Sequence, residues 1–214
     1  MNQNRILLAL HYLPNIQYCS KLMHYSELRL ESAENYRKGS YRNRCYIASP
    51  NGLMRLSIPL KKGKNERQSI REVRIAYDLP WQQQHWRGIR AAYGNAPFFD
   101  HYAPEFAAFY EKKYEFLFDF NWDILQKIAA LIGLEAELLH QEVFLKETPT
   151  DMLDGRSFLQ PKAKLKTPDP HFKTPKYGQV FEEKTGFLAN LSVLDLLFCT
   201  GPQSPLILEN AFQK

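Results

Sequence analysis

Apolar runs and helical stripes alternate along the first two thirds of the chain. Residues 6–10, Ile-Leu-Leu-Ala-Leu, form an apolar run that stops at His11. A run this short predicts a buried strand. Pro14 breaks the chain, and Asn15 can cap a helix starting near Ile16, with Tyr18, Leu22 and Tyr25 along one side. From Glu27 to Glu31 charged and apolar residues alternate, which predicts a second strand. Strand, histidine-bearing loop, helix and strand together open an α/β unit.

A β-hairpin follows. Cys45 to Ala48 and Leu53 to Leu60 flank Ser49-Pro50-Asn51-Gly52, where proline and Asn-Gly supply the turn. Another strand is expected over Glu72 to Ile75, with Val73 and Ile75 on one face. Helical periodicity then takes over. Trp81, His85, Ile89 and either Ala92 or Tyr93 share a face, with Pro80 tolerated at the helix start and Pro97 ending it. Pro104 to Lys112 predicts the next helix. A third, over about Trp122 to Ile132, carries Ile124, Ile128 and Leu131 as its stripe and stops at Gly133.

From about Lys146 to Lys176 no period survives, and proline and lysine are frequent. That stretch predicts a long loop or linker. Order resumes at Tyr177. Ser192 to Cys199 predicts a short apolar helix in which Ser192 and Asp195 have capping-box spacing, and Gly201-Pro202 ends it. There are no internal repeats. The expected fold is α/β: a small mixed sheet built on the N-terminal strand-loop-helix-strand unit, a β-hairpin, and a helical middle and C-terminal part. Within one domain, residues 1–145 form the α/β core with its helical subregion. Residues 146–176 are the loop or linker, and 177–214 pack back on the core.

Composition narrows the class. A chain of 214 residues with 44% hydrophobic and 14% aromatic residues suits one globular domain,. No stretch nears the roughly 20 apolar residues of a membrane span, and residues 1–5 lack a signal-peptide pattern. A cytoplasmic protein is expected. Cys19, Cys45 and Cys199 are far apart and outside CxxC spacing, which argues for buried free thiols. The histidines include no HxH or HxxxH pair, so no metal site is expected.

The net charge is +5. The segment from Pro161 to Lys176 alone holds five lysines against one aspartate. Lys61, Lys62, Lys64 and Arg67, balanced by Glu66, form a second basic cluster. Charge confined to loops, without a nucleic-acid-binding motif, points away from nucleic acid as a partner.

Four places carry candidate chemistry. His11 follows a buried strand at a helix entrance, where open α/β sheets bind ligands and where an anion is favoured. It reads equally as an acid-base group or as a histidine satisfied by local backbone. Tyr36 to Arg44 packs Arg37, Lys38, Arg42 and Arg44 with two tyrosines just before a strand. It reads as an anion site or as a solvated charge run. If the strand starts early, Arg42 and Arg44 share a face with Asn43 opposite. Trp81 and His85 share a helix face that is either a core edge or a site. Asn190, Ser192 and Asp195 are a helix cap or a polar site. GxSxG, Walker A, GxGxxG, HExxH and CxxC sequences are all absent.

Read in order, these blocks resemble the WbqC-like family. The resemblance rests on His11-Tyr12-Leu13-Pro14 with Gln17-Tyr18, Lys38 with Arg42-Asn43-Arg44, and Leu56-Ser57-Ile58-Pro59. It continues through Trp81, His85, Ile89 and Tyr93, Ala96-Pro97-Phe98-Phe99, Asn190-Leu191-Ser192, Leu194 to Phe198 and Gly201-Pro202. Together they cover about residues 6–133 and 177–202. Many members carry a Ser-Ser-Glu strand and a Gly-rich Tyr-Leu-Ser-Gly segment where this chain has 146–176, so it resembles a shorter, Bacteroidetes-like branch.

The resemblance implies a role beside surface-polysaccharide and O-antigen biosynthesis, with transfer of an amino acid such as glycine to a sugar as one suggested reaction. It implies His11, His85 and Asp195 as catalytic residues. Lys38, Arg42, Asn43, Arg44, Tyr93 and Asn190 become substrate contacts. The expected partner is an anionic small molecule, a nucleotide sugar or activated amino acid. No cofactor is firmly implied, although a nucleotide carrying Mg²⁺ would leave no motif of its own. A nucleotidylyltransferase-like layout is an analogy only, because no HxGH pair occurs. The competing expectation is a non-catalytic binding or scaffold protein whose lysine-rich loop docks an acidic partner or an anionic membrane surface.

Overall fold

The apolar run before His11 forms strand β1 (Arg5–Ala9), and helix α1 (Ile16–His24) follows it. Asn15 caps α1 through Oδ1, which accepts the Tyr18 amide at 2.9 Å. Such a cap contributes about 1 kcal/mol. Strand β2 (Glu27–Glu31) pairs in parallel with β1, with Ile6 opposite Leu28 and Leu8 opposite Leu30. Those four side chains are fully buried. The computed structural model describes residues 4–61, 67–156, 159–161 and 169–213. Lys62, Lys64 and Glu66 of one basic cluster, and Lys162, Lys164 and Lys166 of the other, lie outside the described residues.

Strands β3 (Arg44–Ser49) and β4 (Gly52–Ser57) form the hairpin, in register from Arg44 opposite Ser57 to Ser49 opposite Gly52. Gly52 has φ +94°, the left-handed backbone its turn requires,. The hairpin is a separate two-stranded sheet. A strand over residues 72–75 does not form. Ile70–Glu72 is a 3₁₀ turn, and Arg74 and Ile75 make only isolated bridges to Phe116 and Leu60.

The helical middle consists of α2 (Trp81–Tyr93), α3 (Phe99–Glu111) and α4 (Leu117–Leu131). Helix α3 begins five residues before Pro104, which sits inside it. The carbonyl that proline leaves without a helical donor belongs to Asp100, an exposed residue,. Helix α4 also starts a full turn earlier than its stripe suggests, because Leu117, Phe118 and Phe120 are buried with it.

Strands β5 (Leu138–Gln141) and β6 (Met152–Asp154) complete a parallel sheet in the order β5-β2-β1-β6. Strand β6 comes from the stretch 146–176, where the sequence shows no periodicity. Gly155 follows it closely: a Cβ there would lie 2.6 Å from the Leu8 side chain. The chain ends in a helical turn α5 (Glu182–Thr185), then α6 (Val193–Thr200) and α7 (Ser204–Asn210). Ser192 caps α6, and Gly201 ends it at φ +52°. No helix is long and apolar enough to cross a membrane, among the described residues.

Candidate functional site

The carboxyl ends of β1, β2 and β6 gather an unusual amount of buried charge. The strand order changes direction at β1, with β2 and β5 on one side and β6 on the other. Open α/β sheets bind ligands outside the carboxyl ends at such a point. Glu31 ends β2, Asp154 ends β6, and Arg156 bridges them. Its Nη1 donates to Glu31 Oε2 at 2.9 Å, while Nε and Nη2 donate to the two Asp154 oxygens at 2.9 and 2.7 Å. Burial pushes the Glu31 carboxyl up, against the Ala33 amide and Arg156. Burial acts the same way on Asp154, but its Arg156 bonds more than offset it and hold that carboxyl below its ordinary value.

Arg42 and Glu34 form a second pair beside the first. Arg42 Nε and Nη2 donate to Glu34 Oε1 and Oε2 at 2.6 and 2.5 Å, and both residues are buried. The turn carrying Arg42 is a 3₁₀ segment, Tyr41–Asn43, capped by Ser40. Strand alternation therefore does not govern Arg42 and Arg44, which is a correction to the expected shared face. Asn43 Nδ2 donates to the Ile58 carbonyl at 2.9 Å, and Asn121 Nδ2 holds the Arg42 carbonyl at 2.7 Å. Arg44 is half-buried at the start of β3, whereas Arg37 and Lys38 are exposed.

His11 lies against this cluster. Only 2% of it is exposed, and its ring packs on Tyr18 and Tyr41 at 4.9 and 5.4 Å. Burial, and then the charge of Arg42, hold its pKa well below the usual histidine value, so the ring is neutral,. His11 Nδ1 and the Tyr18 hydroxyl are buried without a hydrogen-bond partner among the described residues. Buried polar atoms are normally satisfied, so two orphans in touching rings set this loop apart from the rest of the core. The loop is also strained. Leu13, two residues on, sits at φ +42°, a backbone that costs a residue other than glycine about 1–3 kcal/mol,. Outside the cluster, Ala33, Glu34, Tyr36, Arg37 and Phe144 help line a depression of about 240 Å³. Arg156 lies over the Phe144 ring at 5.5 Å.

His85 and Asp195 belong to separate networks. His85, buried in α2, donates to the Ser57 backbone through one nitrogen. Its Nδ1 shares a hydrogen bond with the Tyr12 hydroxyl at 3.0 Å, and Tyr12 shares another with the Tyr110 hydroxyl at 2.7 Å. Burial lowers the His85 pKa to about 4. Asp195, fully buried in α6, accepts from Tyr93 at 2.8 Å, Tyr177 at 2.5 Å and Gln179 at 3.1 Å. Burial raises its carboxyl and these donors act against it.

Asn190, at φ +56°, bonds both the backbone amide and the side chain of Gln17. Gln17 in turn donates to Asp169, which faces the buried Lys21 at 2.9 Å. That pair ties residues 169–171 to α1. The structure thus brings together His11, Arg42 and Asn43, with Arg37, Lys38 and Arg44 nearby in sequence. It divides His85, the Tyr93–Asp195 pair and Asn190 among three other networks.

Glu31, Glu34, Asp154 and Arg156 were not singled out from sequence. The signal for Glu31 was its place at the end of an alternating strand. Arg156 offered none, being 125 residues from Glu31 in an aperiodic stretch. Among the described residues, no three His, Cys, Asp or Glu side chains are grouped to hold a metal ion. Cys19 and Cys45 are buried free thiols, and Cys199 is a half-buried one.

An α/β fold with a charged, histidine-bearing edge at the carboxyl ends of a parallel sheet is thus the class that the geometry defines. The sequence model of the WbqC-like protein family matches residues 10–156, and the chain belongs to that family. The matched span runs from just before His11 to Arg156, so it includes the whole charged edge, while Asn190 and Asp195 lie beyond it. The chain is also similar to the uncharacterized protein Rv1507c of Mycobacterium tuberculosis (strain ATCC 25618 / H37Rv), being 25% identical over 216 residues. That similarity covers 91% of this chain and 93% of the relative. No solved structure matches at a significant level.

Proposed function

We propose that the protein is a cytoplasmic transferase of cell-surface polysaccharide or O-antigen biosynthesis, acting on an anionic, activated donor at the carboxyl edge of the parallel sheet. The observation that carries this reading is the neutral, buried His11 ring with an unsatisfied Nδ1 beside Arg42. A neutral imidazole can take a proton from an attacking hydroxyl or amine once a bound anion offsets the charge of Arg42 that otherwise disfavours the cation. Arg37 and Lys38, exposed at the rim, supply positive charge to draw in a phosphate or carboxylate. Arg42 acts from beneath, as a fixed charge oriented by Glu34. The donor class is a nucleotide sugar or an activated amino acid such as glycine, with a sugar as the acceptor. Mg²⁺ accompanying a nucleotide fits this class.

The saturation of Arg42 by Glu34 favours a second reading, a non-catalytic binding or scaffold protein of the same pathway. A thermal-shift panel of nucleotides, nucleotide sugars, coenzyme A, amino acids and phosphates separates the two. A ligand at a hundredfold excess over its Kd stabilises the native state by about 2.7 kcal/mol. The transferase reading expects an upward shift that Arg37→Ala and Lys38→Ala each reduce and His11→Ala abolishes. A flat response from a well-folded protein favours the scaffold.

A further inference from the structure

Strand β5 leaves one side of the parallel sheet open. The Ser32 amide donates to the Gln141 carbonyl at 3.1 Å, which fixes how β5 bonds to β2. In a parallel ladder, alternate residues turn both main-chain groups to the same neighbour. Leu139 and Gln141 therefore face β2, and Leu138 and His140 turn their amides and carbonyls outward. Those four groups have no partner among the described residues, and β5 is the end strand of its sheet. An unpaired edge of this kind is a template for a further strand. All four residues of β5 are half-buried, so none of them is sealed from an incoming chain.

The side chains around this edge select the strand. His140 packs on Trp122 at 4.1 Å and on Phe118 at 5.6 Å, so its face of β5 looks onto α4. Trp122 is half-buried, and the Arg71 cation lies over the Phe118 ring at 4.9 Å. That side takes apolar residues and repels lysine. Alternation puts Glu137, Leu139 and Gln141 on the opposite face. Arg29, the cation beside Gln141 there, is held by Glu27 at 2.6 Å. Residues 135–147 carry Glu135, Glu137, Glu142 and Glu147, all exposed, against Lys146, in a chain whose net charge is +5. A second copy pairing through β5 would set one acidic flank against the other, which like charges disfavour. We propose that the free edge of β5 binds an extended segment of a partner protein in which lysine or arginine alternates with apolar residues, adding it to the sheet as a fifth strand. The proposal stands on this edge alone and does not rest on the anionic-donor reading of the carboxyl ends.

Fluorescence anisotropy with a labelled seven-residue peptide of alternating lysine and valine, and with its glutamate counterpart, tests it on the full chain. The lysine peptide should bind saturably, with a dissociation constant on the order of 100 µM, and the glutamate peptide should not. Glu137→Gln combined with Glu142→Gln changes only exposed side chains, so the fold should stay intact, which circular dichroism checks. That variant should weaken binding about tenfold, while Arg37→Ala at the carboxyl ends should leave it unchanged. Hydrogen exchange reads the edge directly. The Leu138 and His140 amides should exchange freely in the protein alone and gain about tenfold protection or more with the lysine peptide. No binding at about 1 mM peptide overturns the proposal and leaves the glutamates as charges that keep the edge unpaired. Equal binding of both peptides, or binding that leaves those two amides unprotected, also overturns it. Protection of both amides without peptide, in a protein that sediments as a dimer, makes a second copy the occupant and overturns it as well.

Discussion

Arg42 and Glu34 meet through two parallel hydrogen bonds of 2.6 and 2.5 Å, with both side chains out of water. An arginine in a positively charged run thus has its guanidinium committed to an internal carboxylate. Truncating one partner leaves the other as an uncompensated buried charge, which costs about 3–5 kcal/mol. Arg42→Ala and Glu34→Ala should each lower unfolding free energy by that amount in urea. The double variant Arg42→Met with Glu34→Leu should recover most of the loss. Near-native stability of either single variant would show that the pair is not closed in solution. Loss of function in Arg42→Ala therefore says little about substrate contact, and Arg37→Ala is the cleaner probe.

Acid should act on the histidines of the core. His11 and His85 both have folded pKa values below the ordinary 6.5, because burial penalises the cation. Between 6.5 and the folded value the unfolded chain holds a proton that the folded chain lacks. The stability from each ring is complete above pH 6.5 and is lost as pH falls, for His85 down to about 4. The slope is about 1 kcal/mol per pH unit for each histidine. Glu31 and Asp195, whose carboxyls are raised, work in the opposite sense, each contributing stability that is lost as pH rises from its ordinary value through its folded one,. Imidazole resonances separate these contributions. The His11 and His85 rings should remain neutral at about pH 5 in the folded protein, and protonation of either near 6.5 would refute the assignment.

The tie between α1 and the chain after residue 168 should come undone with one substitution. Asp169 accepts from Lys21 and Gln17, and the same segment continues through the Lys173 amide bonded to the Ala211 carbonyl. Asp169→Ala removes the carboxylate facing the buried Lys21 ammonium. Hydrogen exchange at Lys173 and Gln213 should accelerate about tenfold or more, while β1 amides stay protected. Unchanged exchange at both amides would show that other contacts hold the strap.

What the sequence disclosed follows from what was local. The Asn15 cap, the alternation that ends at Glu31, and the turn at Gly52 each act within a few residues, and all three are present. Pro104 resembles a helix start, so the sequence alone begins α3 five residues late, and only tertiary context shows that the exposed Asp100 carbonyl tolerates the proline. Strand β6 offered three residues with no period, and its identity comes from pairing with β1.

The candidate site divides in the same way. His11 was legible because a strand end marks it. Glu34 was hidden because the segment between β2 and the Tyr41 turn has no regular spacing to aim a side chain. Arg156 was hidden because one of its partners, Glu31, comes from a distant part of the chain and the other, Asp154, lies in a stretch without periodicity. His85 and Asp195 were visible as polar residues on apolar helix faces. Their tyrosine partners, Tyr12 and Tyr110 for one and Tyr93 and Tyr177 for the other, show that such residues are satisfied in separate interior networks.

The pairing of β1 with β6 has a consequence for how the chain is made. Strands β1 and β2 are both present once residue 31 has been synthesised, yet the other edge of β1 finds its partner only at Met152–Asp154. Through most of synthesis, an apolar strand offers an open row of amides and carbonyls, the template on which chains aggregate. Contacts this distant in sequence also form slowly. Arg156 arrives two residues after that strand ends. Closing the exposed edge of β1 and neutralising Glu31 are therefore one late event, and the nascent chain is at its most vulnerable just before it acquires its charged edge.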